Sequence, residues 1–183
     1  MTGKSYLAVA LFLGCIPAAI AQNPAPAATD DGHVINTMTF VVKAPIQKAA
    51  PLFGPVGMQC WLGHPMHAEF LHTESQAGEP GSVFTMQQGL QKSVWVNTML
   101  DAKGGRMQYA SFTPDSMVMV VDVRMIADGK DATRVELTHT VTALSADARE
   151  ALKSMGAQHV QEHMAAAQKA IEGCLATDGG ARQ

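Results

Sequence analysis

Residues 133–175, TRVELTHTVTALSADAREALKSMGAQHVQEHMAAAQKAIEGCL, determine the fold, because a strand pattern there runs directly into a helix pattern. In the first part, apolar or histidine residues alternate with polar ones, as in a strand with one buried face. The residues on that face are Val135, Leu137, His139 and Val141. From Ser145 to about Leu175 the apolar residues recur at steps of three to five, which predicts one long helix with a broad apolar face. At ~1.5 Å per residue this helix would be about 45 Å long, so it must lie across a wide element.

The rest of the chain predicts a sheet as that wide element. Strand patterns separated by turn residues occur in seven segments, which are 33–43, 67–73, 82–88, 93–100, 106–112, 117–126 and 134–141. Two short helices, 46–53 and 56–62, are predicted after the first strand. Because most connections between strands are short, neighbouring strands should be antiparallel. The predicted fold is α+β, a curved seven-stranded antiparallel sheet closed by the C-terminal helix, with a cavity between them.

The N-terminal residues have the composition of a secretory signal peptide. Lys4 precedes the apolar run 7–16, and the small residues Ala19 and Ala21 follow it, so cleavage after Ala21 is expected. The run is shorter than the ~20 residues that a membrane-spanning helix needs, so no stable membrane insertion is expected after cleavage. We expect a periplasmic or secreted protein with a signal peptide (1–21), a disordered linker (22–32), one domain (33–176) and a disordered tail (177–183).

The charge of the chain argues against a nucleic-acid partner. Cleavage removes Lys4 and leaves 12 of the 13 lysines and arginines against 16 acidic residues. The basic residues form no cluster of the kind that contacts phosphates. The expected partner is therefore a small apolar ligand, and the sequence does not indicate an oligomeric state.

Two cysteines remain in the mature chain, Cys60 in the second short helix and Cys174 in the last turn of the long helix. An even count in an oxidising compartment raises the chance of a disulfide bridge. The alternative is two buried thiols, because sequence spacing cannot place two α-carbons within bridging distance. Both readings stay open at this point.

Several segments resemble the SRPBCC superfamily, the START and Bet v 1-like helix-grip proteins, in its bacterial polyketide cyclase/dehydrase branch. The likeness runs from Val34 to Leu175. Its most specific part is the corner 140–145, TVTALS, that leads into the long helix. Weaker matches are Ala44-Pro45, Leu52-Phe53, Gly57, Trp61, Gly63, Pro65, 81–84, 93–96, Tyr109 and Pro114. The chain departs from the common pattern at Met58 and near His64, where an acidic residue and a second tryptophan are usual.

The resemblance implies a hydrophobic pocket between the sheet and the long helix. Members of the superfamily bind lipids, sterols, polyketides or other apolar molecules, and a minority catalyse cyclisation, dehydration or hydrolysis. No invariant catalytic set accompanies the fold, so no catalytic residue is carried over to this chain. The expected ligand-binding residues are Trp95, Met107, Tyr109, Met119, Met155, Gly156, His159, Val160 and His163.

Two histidines are the main polar candidates for the pocket. On a helical projection His159 and His163 share the apolar sector, so both are expected to face the cavity or its lining. They could orient a ligand or move a proton. Alternatively, they are half-buried histidines whose partners are strand side chains.

No metal or cofactor is predicted. His159 and His163 are spaced i, i+4 and could ligate zinc or copper with a third group, for which His139, His67 and His72 are the candidates. The motif HVQEH also matches a zinc-protease string, but too few residues follow it to supply the further ligand and the catalytic domain.

The preferred hypothesis is an exported protein that binds a small hydrophobic or amphipathic ligand, such as a lipid, sterol or polyketide-like molecule. One alternative is a cyclase or aromatase-like enzyme in which His159 or His163 acts as a general acid or base. The other is a structural or partner-binding module whose own side chains fill the cavity. The sequence does not decide whether the protein is an enzyme, and it favours binding.

Overall fold

The computed structural model describes residues 27–28, 32–62, 66–72, 78–88, 91–154 and 157–177. The predicted signal peptide and its cleavage site lie outside these residues, as do most of the predicted linker and the tail beyond Thr177. No helix within the described ranges is long and apolar enough to cross a membrane.

The strands form one antiparallel sheet. Their bounds are β1 (Ala27–Ala28), β2 (His33–Val42), β3 (Met66–His72), β4 (Val83–Gln88), β5 (Gln91–Asp101), β6 (Arg106–Thr113), β7 (Met117–Ala127) and β8 (Thr133–Ala143). The spatial order is β1-β2-β8-β7-β6-β5-β4-β3, so the first long strand pairs with the last one and the others follow as a meander. All seven predicted strands are confirmed, with ends that differ by no more than two residues.

The strand β1 is an addition to the predicted sheet. Ala27 pairs with Ile35 and Ala28 with Val34, along the edge of β2 that faces away from β8. These two residues lie in the segment expected to be disordered, and their pairing differs from that expectation. An edge strand presents unpaired backbone groups, which is the physical reason that a short segment with no strand pattern can add to it.

Two short helical elements follow β2, as predicted. The helix α1 (Ile46–Ala49) continues into a 3-10 turn (Ala50–Phe53), and α2 (Pro55–Trp61) begins after Gly54. Gly57 lies directly against the backbone of the 3-10 turn, where a β-carbon would clash with it. These elements therefore form a compact unit, which the Trp61 indole reinforces by donating a hydrogen bond of 2.6 Å to the carbonyl oxygen of Leu52.

The described residues of the C-terminal region form two helices, and both lie within the long helix predicted from residue 145 to about 175. They are α3 (Ala146–Ser154) and α4 (Ala157–Ala176), and Met155 and Gly156 between them lie outside the described residues. Ser145 caps α3 as predicted, because its hydroxyl accepts a hydrogen bond of 3.2 Å from the amide of Ala148. The two helices pack differently, α3 against β8 and α4 against β2 and α2.

A disulfide between Cys60 and Cys174 ties α2 to the last turns of α4. The α-carbons are 6.2 Å apart, which lies within the range of ordinary bridges. Of the two readings that the sequence left open, the structure therefore contains the bridge.

The buried side chains form two separate clusters. The large cluster joins the inner face of the sheet to α1, α2 and the C-terminal half of α4, and it includes Met38, Phe40, Phe53, Trp61, Phe84, Trp95, Tyr109, Val121, Leu137 and Ile171. The small cluster lies under α3 and consists of Val34, Val141, Ala143, Ala148 and Leu152. Met119 is half-buried and packs against both clusters, so it marks the boundary between them.

Candidate functional site

The strand β8 places one histidine on the inner face of the sheet. Leu137 belongs to the large cluster and Val141 to the small one, so both point inward. Because side chains alternate along a strand, His139 midway between them points inward as well. It is half-buried at the boundary of the two clusters.

The strand β2 places an asparagine beside that histidine. Met38 belongs to the large cluster and Val34 to the small one, and Asn36 lies between them on the same face. The antiparallel register pairs Asn36 directly with His139. Side chains paired in this way lie about 5 Å apart at their β-carbons, so the two form a polar pair. We refer to Asn36 and His139 as the polar pair.

Burial keeps the imidazole of the polar pair uncharged. It lowers the pKa of His139 to about 4, because the protein interior disfavours the charged ring. The ring is therefore neutral near pH 7, with one N–H donor and one nitrogen acceptor.

Asn36 has an unmet hydrogen-bonding requirement. Its Oδ1 atom is buried and has no hydrogen-bond partner among the described residues. An unsatisfied buried acceptor costs about 1–3 kcal/mol, so such atoms are rare in native proteins and point to a function. Asn97, a buried asparagine on β5, is different because its amide donates to the carbonyl oxygen of Gly78 and its Oδ1 accepts from the amide of Met99 at 3.1 Å.

Aromatic side chains cover the inner face of β3, β4, β5 and β6, which β7 separates from the polar pair. This aromatic cluster consists of Phe70, Phe84, Trp95 and Tyr109. Phe84 lies at the centre, with ring centroids 5.6 Å from Phe70, 6.1 Å from Trp95 and 6.2 Å from Tyr109. Tyr109 also belongs to the same cross-strand row as the polar pair, because it pairs with Val121, which pairs with His139.

The hydroxyl of Tyr109 forms a hydrogen bond within the protein. It donates a hydrogen bond of 3.0 Å to the carbonyl oxygen of Phe53, and burial raises the pKa of this phenol far above its usual range. Tyr109 therefore contributes an apolar ring to the interior and fixes the 3-10 turn against the sheet. Asn97, which pairs with Tyr109 in the same row, has its hydrogen bonds within the protein, and the polar pair lies at the boundary of the clusters.

The residues expected to bind a ligand fall into three groups. Trp95, Met107 and Tyr109 are buried in the large cluster, and Met119 lies at the boundary. His163 was expected to face the cavity or its lining, but it is exposed on α4. The residues of that helix that pack on the large cluster include Met164, Ala167, Ile171 and Cys174. The third group, which consists of Met155, Gly156 and the side chains of His159 and Val160, lies outside the described residues.

The histidines whose side chains the structure describes do not come together as a metal site. His67 and His72 are exposed on β3, which is separated from β8 by four strands of the sheet. At about 4.8 Å per strand this separation is far too large for shared ligation with His139. Across the described ranges no group of three or more histidine, cysteine, aspartate or glutamate side chains could hold a metal ion.

A surface depression at the start of α3 is a different feature from the predicted cavity. Its volume is about 330 Å³, it is open to solvent, and both polar and apolar residues line it. The lining residues are Gln91, Pro114, Asp115, Ser116, Ser145, Asp147, Ala148 and Ala151. An open surface that carries Asp115 and Asp147 does not suit an apolar ligand.

Sequence reasoning placed His139 on the buried face of its strand and named it as a possible third metal ligand, but it did not count His139 among the ligand-binding residues, and it missed Asn36. The available signal was a polar residue that interrupts the apolar alternation of β2, between Val34 and Met38. That signal can be interpreted only with the register of β2 and β8, which pairs Asn36 with His139, 103 positions later in the sequence.

Comparisons with known proteins agree with this architecture. No protein-family model matches the sequence, and no curated protein matches it. Among solved structures, Ara h 8.0201 matches with a TM-score of 0.58 and 14% identity, over 80% of this chain and 99% of the other. The Zhui aromatase/cyclase from Streptomyces sp. R1128 matches with a TM-score of 0.59 and 18% identity, over 78% and 93% of the two chains.

A third match is norcoclaurine synthase from Thalictrum flavum, in complex with dopamine and hydroxybenzaldehyde. Its TM-score is 0.58 and its identity 10%, over 79% of this chain and 87% of the other. At such identities the likeness concerns the fold alone. The order of the strands, the early helix pair and the C-terminal helix identify that fold, and the chain has the Bet v 1-like helix-grip fold.

Proposed function

We propose that this protein is exported and binds a small hydrophobic or amphipathic ligand between the inner face of the sheet and the C-terminal helices. The observation that carries the proposal is the polar pair, Asn36 and His139, at the boundary of two apolar clusters. Binding sites for small molecules are mostly apolar and contain a few polar groups that fix orientation. The interior has this composition, with the aromatic cluster and Met119 as the apolar surface.

Binding fits the chemistry of the polar pair better than catalysis does. A general base works best when its pKa lies near the operating pH, and the pKa of His139 is about 4. The acidic side chains of the adjacent strand positions, Asp122 and Glu136, alternate onto the outer face of the sheet. Among the described residues, no acidic side chain of these strands faces His139, so its neutral imidazole is suited to hydrogen bonding with a ligand.

The fold supports the proposal by analogy only. The norcoclaurine synthase structure holds dopamine and hydroxybenzaldehyde, so a helix-grip protein can accommodate small aromatic molecules. This chain shares the fold and supplies its own polar pair.

Export is supported by two features that arise independently. The first 21 residues have the signal-peptide pattern, and the Cys60–Cys174 bridge is of a kind that persists in oxidising compartments. Expression of the full chain in a bacterial host tests this part of the proposal. Intact mass measurement of the periplasmic fraction should find a chain that begins at Gln22, and an uncleaved cytoplasmic chain would contradict it.

Native mass spectrometry of the mature protein tests the binding function. A co-purifying small mass that disappears after organic extraction is the expected result, and its value gives the ligand class. If apoprotein alone is found, and lipids, sterols and polyketides cause no shift, the module with a filled cavity is the correct reading.

A pair of variants on β7 localises the bound molecule. Met119→Trp puts a larger side chain at the boundary of the two clusters and should abolish the bound mass. Val120 projects from the opposite face of the same strand, so Val120→Trp is the matched control and should retain the mass. Equal retention by both variants would place the ligand elsewhere.

A further inference from the structure

Among the described residues, no lysine or arginine lies in the interior. Every lysine and arginine within residues 32–177 lies at a described position, and each of them is exposed. Neither residue type occurs in the segments between the described ranges, which are 63–65, 73–77, 89–90 and 155–156. A buried carboxylate needs a cation or several hydrogen-bond donors to offset the loss of water, and no lysine or arginine is placed to supply the cation.

His139 does not replace the missing cation. Because burial holds its pKa at about 4, protonation near pH 7 is unfavourable by about a thousandfold. An acidic ligand would have to overcome that factor before any ion pair formed. The charged groups nearest in the register, Arg134, Glu136 and Asp122, lie on the outer face, since they alternate with the inward residues of their strands.

The unsatisfied atom of the polar pair is an acceptor. Asn36 Oδ1 is buried without a partner among the described residues, so a ligand group that satisfies it must carry an O–H or N–H. A carboxylate has no such donor. A hydroxyl has one, and its oxygen can also accept a hydrogen bond from the neighbouring imidazole.

We infer that the interior selects uncharged amphipathic ligands whose polar end is a hydroxyl or another hydrogen-bond donor, and that it rejects fatty acids and other carboxylates. The apolar body of such a ligand would lie against Met119 and extend toward the aromatic cluster, with its donor directed at Asn36 Oδ1. This inference rests on the proposed binding function and names the ligand class.

Three probes with the same ring system test the inference: naphthalenemethanol, its methyl ether and naphthoate. Their affinities for the ligand-free mature protein are compared by isothermal titration calorimetry near neutral pH. The alcohol should bind about tenfold more tightly than the ether, which is about 1.4 kcal/mol and typical of one hydrogen bond. Naphthoate should bind at least a hundredfold more weakly than the alcohol, because it brings a charge into an interior without a cation.

One variant on β2 connects the selectivity to the polar pair. Asn36→Leu removes the acceptor and should bring the affinities of the alcohol and the ether to within about twofold, while both still bind. Its melting temperature should equal or exceed that of the wild type, because an unsatisfied polar group is replaced by an apolar one of similar size. Thr39→Val, on the outer face of the same strand, is the matched control and should keep the tenfold preference.

The outcomes separate this inference from the proposed function. If the three probes bind the wild type with similar affinity, or if naphthoate binds best, the inferred selectivity is wrong while ligand binding stands. If none of these probes binds, and lipids and sterols do not bind either, the proposed function fails as well. A preference for the alcohol that survives in Asn36→Leu would assign the selectivity to another group.

Discussion

The stability of the ligand-free protein should fall as the pH falls from 6.5 toward 4, because of His139. In the unfolded chain this histidine has an ordinary pKa near 6.5, and in the folded chain its pKa is about 4. Between these values the unfolded chain binds a proton that the folded chain does not bind. Acidification therefore favours unfolding in this window, and the contribution of the buried neutral ring is fully present above about pH 6.5.

The size of this effect follows from the difference between the two pKa values. A shift of about 2.5 units corresponds to about 3 kcal/mol over the whole window, and to about 2 kcal/mol between pH 7 and about pH 4.5. A domain of this size has a free energy of unfolding of about 5–15 kcal/mol, so the loss is readily measured.

Urea denaturation of the wild type and His139→Gln at several pH values isolates this histidine. Glutamine keeps a polar side chain of similar reach and cannot titrate, while the carboxylates and the other histidines are common to both proteins. The free energy of unfolding of the wild type should fall by about 2 kcal/mol more than that of the variant between pH 7 and about pH 4.5. Parallel losses in the two proteins would refute the assignment of a buried, neutral imidazole at this position.

Three further predictions concern the architecture around the site. Replacing both Cys60 and Cys174 with serine should lower the free energy of unfolding by up to about 5 kcal/mol on the chain-entropy model, because the bridge closes a loop with a sequence separation of 114. An unchanged urea midpoint when the wild type is reduced would contradict this. Tyr109→Phe should cost about 1–3 kcal/mol in the same assay, because it leaves a buried carbonyl oxygen without its donor; a cost near zero would show that water replaces the hydroxyl. Gly57→Ala should destabilise by about 1–3 kcal/mol, since the added methyl group meets backbone of the 3-10 turn. The helical control Gly173→Ala, whose β-carbon would meet nothing within 4 Å, should stabilise instead, and equal effects of the two would refute the packing argument.

Much of the sheet was predictable because its strands have alternating patterns and clear turns. The strand β8 illustrates this, since its inward residues Val135, Leu137 and Val141 are all buried. The pair Ala27–Ala28 was not predictable, because two alanines carry no period and form a strand only where the edge of β2 offers partners. Periodicity also predicted a helix after residue 145, and the described residues 146–154 and 157–176 are helical.

The candidate site was less predictable than the fold, because it depends on which strands become neighbours. Helical periodicity selected His159 and His163 as candidates. It placed His163 on the inward face of the helix, but His163 is exposed and the neighbouring Met164 packs on the large cluster. Asn36 gave a weak signal in the sequence, and nothing in the local pattern of β2 specified the histidine beside it. The pairing of β2 with β8 is a property of the whole sheet, so a pair built across it becomes visible only in three dimensions.

The pairing of the first long strand with the last one also constrains when the domain can fold. The strand β2 lacks its main partner until β8 has been made, and the bridge that holds α4 cannot form before Cys174 is present. A chain that is synthesised from its N-terminus therefore cannot complete its core until almost every residue has been made. Folding should be slow for the size of the domain, because the closing contacts are distant in sequence. Because the core is completed late, the chain stays unfolded during synthesis. Translocation across a membrane in the unfolded state requires a chain in this condition.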